Sequence, residues 1–266
     1  TDGNGGDGSG GTSSALIDGS ATLGGSAPAG FIVTAFGQGG DGSTGGNAYG
    51  GTSVITVNGG LTTTGQVQAT GQSQGGNGTL YGGNAYSGSA SIGVTGDLAA
   101  DVVFAGTVAT GGAGGLDGGY AEGGSASLTI DGGSADINTV RVDSHATGGD
   151  GSETGGSADG GSAIVTATNG GGATINTSLE IDASGTGGSG EQGGEGAGGY
   201  AELSAYGPST IDAGGTSINA DGTGGAGALV GAGGDGYGGS IDILVGGGSI
   251  TLASNFITAR GFGGVG

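Results

Sequence analysis

The sequence predicts an all-β repeat solenoid, a parallel β-helix-like stack with polyglycine II-like glycine-rich segments, and three observations predict it. Glycine fills 80 of 266 positions, a Gly-Gly-x-Gly signature recurs along the chain, and short alternating apolar runs follow that signature at a steady distance. The signature begins at Gly5, Gly39, Gly75, Gly111, Gly148, Gly187, Gly224 and Gly263, so successive starts differ by 34, 36, 36, 37, 39, 37 and 39. A period sustained in this way marks units that bury their apolar faces only by stacking on one another. It divides the chain into about seven repeats of roughly 37 residues: 1–38, 39–74, 75–110, 111–147, 148–186, 187–223 and 224–262, with 263–266 starting another. Both ends fall in mid-repeat, and the chain reads as a single repeat domain excerpted from a longer one.

The first element of each repeat is a strand. A Gly-Gly or Ser-Gly pair precedes TSSALI from Thr12, TSVITV from Thr52, SASIGV from Ser89, SASLTI from Ser125, SAIVTA from Ser162, YAELSA from Tyr200 and SIDILV from Ser240. Alternation places Ala126, Leu128 and Ile130 on one face and Ser125, Ser127 and Thr129 on the other, which is the period of an extended chain. Asp18-Gly19, Asn58-Gly59-Gly60, Asp131-Gly132-Gly133 and Asn169-Gly170-Gly171 then supply turn residues that tolerate positive φ. A second extended stretch follows, as in ADINTVRVDSHA from Ala135, ATINTSLEIDAS from Ala173 and SITLASNFITAR from Ser249. Asn-Gly and Asp-Gly between alternating runs also signal an antiparallel hairpin. Stacking is favoured because one strand face alone buries too little apolar surface, and one wide coil per repeat is the preferred arrangement.

The repeat closes on a glycine-rich return, for example GGAGGLDGGYAEGG from Gly111 and GGSGEQGGEGAGG from Gly187. A flexible linker is the competing reading of such composition. Ordering is favoured because glycine backbones, lacking Cβ, approach closely enough to hydrogen-bond one another, so that backbone replaces a hydrophobic core.

Composition removes several classes. Collagen needs a strict three-residue period and abundant proline, and here there are two prolines. Disorder is the alternative for a Gly-rich, charged chain, but the apolar residues are clustered in packable runs. Net charge is −21, with Arg141 and Arg260 the only Lys or Arg residues, so neither a phosphate backbone nor an anionic membrane surface is an expected partner. The chain lacks cysteine, which excludes disulfides and thiolate metal sites, and no apolar run reaches the length of a membrane helix.

Little in the sequence points to chemistry. Repeated Gly-Gly-x-Gly resembles the start of a calcium-binding nonapeptide, but the position of its liganding Asp holds Thr44, Leu80, Leu116, Glu153, Gln192 and Leu229. Asp41, Asp150, Glu153 and Asp235 are the candidates for loose calcium association through hard oxygen ligands; no other cofactor is expected. His145 is the single histidine and reads as an exposed strand-end residue, although a serine triad would need it as base. The threonines of Leu61-Thr62-Thr63-Thr64 raise ice binding, but Ala99, Ala100 and Asp101 break that rank one repeat later. Tyr49, Tyr86 and Tyr237 recur before the landmark glycine pair and are read as packing the return rather than binding sugar. Asn77-Gly78-Thr79 and Asn176-Thr177-Ser178 match glycosylation sequons.

The units GGSASLTIDGG from Gly123, ATINTSLEIDASGTGG from Ala173 and GGSITLASNFITARGFGG from Gly247 resemble the Gly-rich repeat regions of large secreted bacterial filamentous haemagglutinin-like and autotransporter adhesins. The likeness is one of repeat style, and that family's coils are shorter and less glycine-rich. It implies export to the bacterial cell surface, a β-solenoid shaft, and a non-enzymatic role in adhesion, aggregation or biofilm. The expected partners are copies of itself in fibres or bundles, or other cell-surface polymers. Two alternatives accompany that expectation: a calcium- or ice-binding solenoid, and a carbohydrate-active β-helix enzyme, which would need a cleft of non-repeated carboxylates.

Overall fold

The computed structural model describes residues 3–24, 30–228 and 231–266. Each repeat forms one coil, and the coils stack so that equivalent strands pair in parallel. The predicted first strands build one wall, a seven-stranded sheet of Thr12–Ile17, Thr52–Val57, Ser89–Val94, Ser125–Asp131, Ser162–Thr168, Tyr200–Tyr206 and Ser240–Gly246. Register follows the side-chain alternation: Ala90 lies against Ala126, Ile92 against Leu128 and Val94 against Ile130. Serine, threonine and glycine face outward along most of this wall, and the aliphatic positions face in because a one-residue slip would turn every one of them to water.

The turn does not fold the second strand back beside the first; it carries it to an opposing wall. That wall is built from Asp97–Gly106, Ser134–Asp143, Gly172–Asp182, Thr210–Asn219 and Ser249–Thr258, and in the first two coils from the pairs Ser20–Leu23 with Phe31–Gln38 and Gly60–Thr63 with Gln66–Gln74. Among the described residues the strand ladders are parallel, and the antiparallel contact is a lone bridge between Tyr206 and Gly247. The hairpin alternative is thereby overturned. Positive φ occurs at Gly132, at Asn169 with Gly170, at Gly207 and at Gly247. At Gly19 and Gly59 it does not occur; there a Cβ on Gly59 would overlap the Gly19 carbonyl oxygen, so the glycine is required for space rather than for torsion.

The two walls converge, and side-chain size falls with the gap between them. In the wide part Ile55, Ile92, Leu128, Ile137, Ile175, Leu179 and Leu203 are fully buried. Past the second wall a neck of small strands is filled by Ala85, Ala109, Ala121, Ala146 and Ala158. Further down the stack the neck narrows again, and Gly185, Gly196, Gly222 and Gly236 take the alanine positions; a Cβ on each would overlap a facing carbonyl oxygen.

At the narrow end lies the glycine return, which is ordered. It runs outward through one glycine pair, turns, and comes back through a second pair facing the first: Gly39 and Gly40 face Gly45 and Gly46. The amide of Gly46 donates to the Gly40 carbonyl within one coil, and Gly76 of the next coil donates to Gly46 at 2.9 Å. The pattern continues through Gly83, Gly112, Gly119, Gly149, Gly156, Gly188, Gly194, Gly225 and Gly234 to Gly264, and begins with Gly40 donating to Gly6. Each intermediate glycine both donates and accepts, and such aligned chains polarise and strengthen one another. A Cβ on Gly39 would overlap the Gly46 oxygen, one on Gly45 the Gly76 oxygen, and one on Gly76 the Gly40 oxygen. None of these glycines has positive φ. They are a core made of backbone, which sets aside the linker reading and bears out close approach as the reason for the composition.

Candidate functional site

Two surface features combine several polar groups: a charged corner where the second wall ends, and a groove along the outer side of that wall. The corner forms because the chain must turn into the narrow neck while keeping polar side chains at the bend. Its centre is Asp143, whose side chain is 2% exposed. Arg141 Nη2 donates to Asp143 Oδ2 at 2.7 Å, and the imidazole Nδ1 of His145 lies 2.6 Å from Oδ1. Arg141 also sits over the Phe104 ring of the preceding coil, 5.7 Å from its centroid. His145 is therefore a half-buried ion-pair partner and not an exposed strand-end residue, because the carboxylate two residues before it in the same coil is buried and turned toward it.

Asp182 pairs in register with Asp143 and accepts hydrogen bonds from the Ser184 amide at 3.0 Å and from Asn219 Nδ2 at 3.2 Å. The hydrogen bond that protonated His145 donates to Asp143, working against burial, raises the His145 pKa above its ordinary 6.5. Burial raises Asp182 above 3.8, opposed by its bonds to Ser184 and reinforced by the neighbouring charge of Asp143. Asp143 thus orients His145 as in a catalytic dyad. The adjacent serine is committed elsewhere: Ser144 Oγ donates to the Gly124 carbonyl at 2.8 Å and accepts from Thr107 Oγ1 at 2.8 Å. Among the described residues no nucleophile is hydrogen-bonded to the imidazole. Three coils on, Arg260 pairs with Asp221 of the coil before it at 2.9 Å, so an ion pair recurs where the sequence places a base in the bend.

The groove, about 570 Å³ in volume, runs along the stack past Thr22, Thr62, Asp97, Asp136 and Asn176. It exists because the second wall bends, with the register between neighbouring coils slipping between Ile137 and Thr139 and between Ile175 and Ser178. Its carboxylates are used between coils: Ser134 Oγ donates to Asp97 at 2.6 Å and Asn176 to Asp136 at 2.8 Å, and beside the groove Asn138 donates to Asp101 at 2.9 Å. The outward rank Thr22, Thr62, Ala99, Asp136, Thr174, Asp212, Thr251 is mixed. The Asn176 sequon side chain is occupied by this network.

The four calcium candidates do not converge. Asp41 and Asp150 lie three coils apart on one rank of the return, and each accepts the backbone amide of the following coil, from Asn77 at 2.7 Å and Ser189 at 2.8 Å. Asn77 repeats the device toward Ala113 at 3.0 Å. Glu153 sits at the outer tip, while Asp235 lies on the inbound limb and accepts from the Tyr237 hydroxyl at 3.2 Å. Among the described residues there is no group of three or more side chains placed to hold a metal; Leu229 of the nonapeptide comparison lies outside them. The same residues contain no helix long and apolar enough to cross a membrane.

Sequence reasoning missed the carboxylate-to-amide ladder, although Asp or Asn recurs one repeat apart at Asp7, Asn47 and Asn84 and at Asp41 and Asn77. It also missed the tyrosine stack: Tyr49 and Tyr86 have ring centroids 5.4 Å apart at 10°, and Tyr120 follows at 5.9 Å. Compared with protein-family models, curated proteins and solved structures, the chain matches none.

Proposed function

We propose that the chain is a load-carrying shaft segment of an extracellular bacterial surface fibre that supports adhesion, aggregation or a biofilm matrix. The observation that carries this reading is the unbroken axial continuity of two parallel-sheet walls and one glycine column over the described coils. Axial tension is resisted by hydrogen bonds that run along the stack, and adding coils lengthens the shaft without altering its section. The charge of −21 keeps such a shaft soluble and its copies apart in dilute salt. With two Lys or Arg residues in the chain, trypsin-type proteases find few sites. Non-enzymatic action fits a surface on which many carboxylates, among them Asp41, Asp97, Asp101, Asp136 and Asp150, are engaged in coil-to-coil hydrogen bonds.

Electron microscopy of cells expressing the protein, with antibody labelling, tests the reading. Labelled surface filaments with an axial spacing of about 4.8 Å are the expected result; labelled compact particles confined to the cell interior would contradict it. One observation favours a second reading, ice binding: an outer rank of the first wall keeps a hydroxyl in each coil at Thr12, Thr52, Ser89, Ser125, Ser162, Tyr200 and Ser240. Thermal hysteresis of the purified protein decides it, and the shaft reading predicts none.

A further inference from the structure

We propose that Tyr49 and Tyr86 form an oxidative cross-linking site at which peroxide joins two adjacent coils through a dityrosine bond. The two residues are register partners on neighbouring small strands. Their rings stack with centroids 5.4 Å apart and planes within 10°. Tyr49 is 43% exposed, so an oxidant reaches the pair. Neighbouring positions of the rank are Ser9 on one side and Glu122 on the other, and the next tyrosine of the rank, Tyr237, lies four coils beyond Tyr86.

Elimination strengthens the assignment. A chain with no Cys and no Lys has neither a disulfide nor a lysine amide available to lock one coil to the next. The stacked phenols are the side chains whose chemistry supplies a covalent bridge. Each ring face in the pair's interior is covered by the other ring, which leaves no open platform there for a sugar. Tyr120, the third ring, is tilted by 55° and its hydroxyl is tied to Asp159 at 2.6 Å, so its coupling is disfavoured. Tyr81, Tyr206 and Tyr237 are exposed but stack on no other ring among the described residues.

The chemistry balances with hydrogen peroxide as oxidant, acting through a haem peroxidase. Each phenol gives up one electron and one proton, and the peroxide takes up both pairs to become two waters. The two phenoxyl radicals then form a carbon–carbon bond between ring positions ortho to the oxygens. The two ortho hydrogens pass to those oxygens and restore the phenols. The product has lost two hydrogens overall and holds the two coils together.

The test is peroxidase with hydrogen peroxide on dilute purified protein, followed by mass spectrometry and fluorescence. The expected product is a monomer lighter by two hydrogens, with dityrosine emission and a linked peptide pair containing residues 49 and 86. Its thermal midpoint should rise. Tyr86→Phe keeps the ring stack and should lose the intramolecular link and the midpoint shift, whereas Tyr237→Phe should keep both. Equal intramolecular yield in Tyr86→Phe would overturn the proposal. So would products linked only between molecules, or no link under conditions that dimerise free tyrosine.

Discussion

A glycine is usually discussed for the torsions it allows, but in this molecule most of the work of glycine is to be small. The contrast between Gly76 and Gly93 isolates that role. Gly76 stands where a Cβ would overlap the Gly40 oxygen, while a Cβ on Gly93 would meet nothing within 4 Å. Gly76→Ala is expected to cost at least about 3 kcal/mol, since backbone on both sides must move, and Gly93→Ala to be neutral or to stabilise by about 0.5–1 kcal/mol by restricting the unfolded chain. Chemical denaturation of the two variants checks the pair.

Titration gives a second prediction at the residue scale. His145 has a folded pKa above its unfolded one, so its contribution is complete below about pH 6.5 and is lost as pH rises through the raised value. Asp182 is also raised, so it likewise favours the folded state on the acid side, where the proton is bound. Melting curves should therefore show greater stability in mildly acidic than in mildly alkaline buffer. His145→Asn should flatten the part of that slope lying near neutrality.

Elements differ in how legible they are in the sequence. The first strands are read directly from alternation, because Ala126, Leu128 and Ile130 face a wall whose partner strands keep the same register. The glycine return was legible as a material but not in its path. Nothing local in Gly39, Gly40, Gly45 and Gly46 states that the two pairs face one another; that follows from the convergence of the walls, a tertiary fact. His145 was misread for the same reason, since its partner Asp143 is buried by the neighbouring coils and not by its own strand. The turns were half legible: Asn169 adopts φ 54 as its type allows, whereas Gly59 answers to crowding. Asn169→Gly should accordingly be almost neutral in the turn torsion, and Asn169→Ala should cost about 1–2 kcal/mol, as read from urea midpoints.

At the scale of the whole molecule, stability is a sum over coils and the interfaces between them. Leu128, buried in a central coil, and Ile243, 40% exposed in the last described coil, make the comparison. Leu128→Ala should cost about 2–5 kcal/mol, and Ile243→Ala clearly less, because fewer neighbours lose contact. The glycine column is a core equal in rank to the aliphatic one. Amide hydrogen exchange tests it most directly, because a hydrogen-bonded amide in the stack exchanges only when coils open. The amides of Gly76, Gly83, Gly112 and Gly119 should be as protected as those of Leu128 and Ile130; exchange of these four glycines at the rate of an unstructured linker, with the strands still protected, would contradict the account.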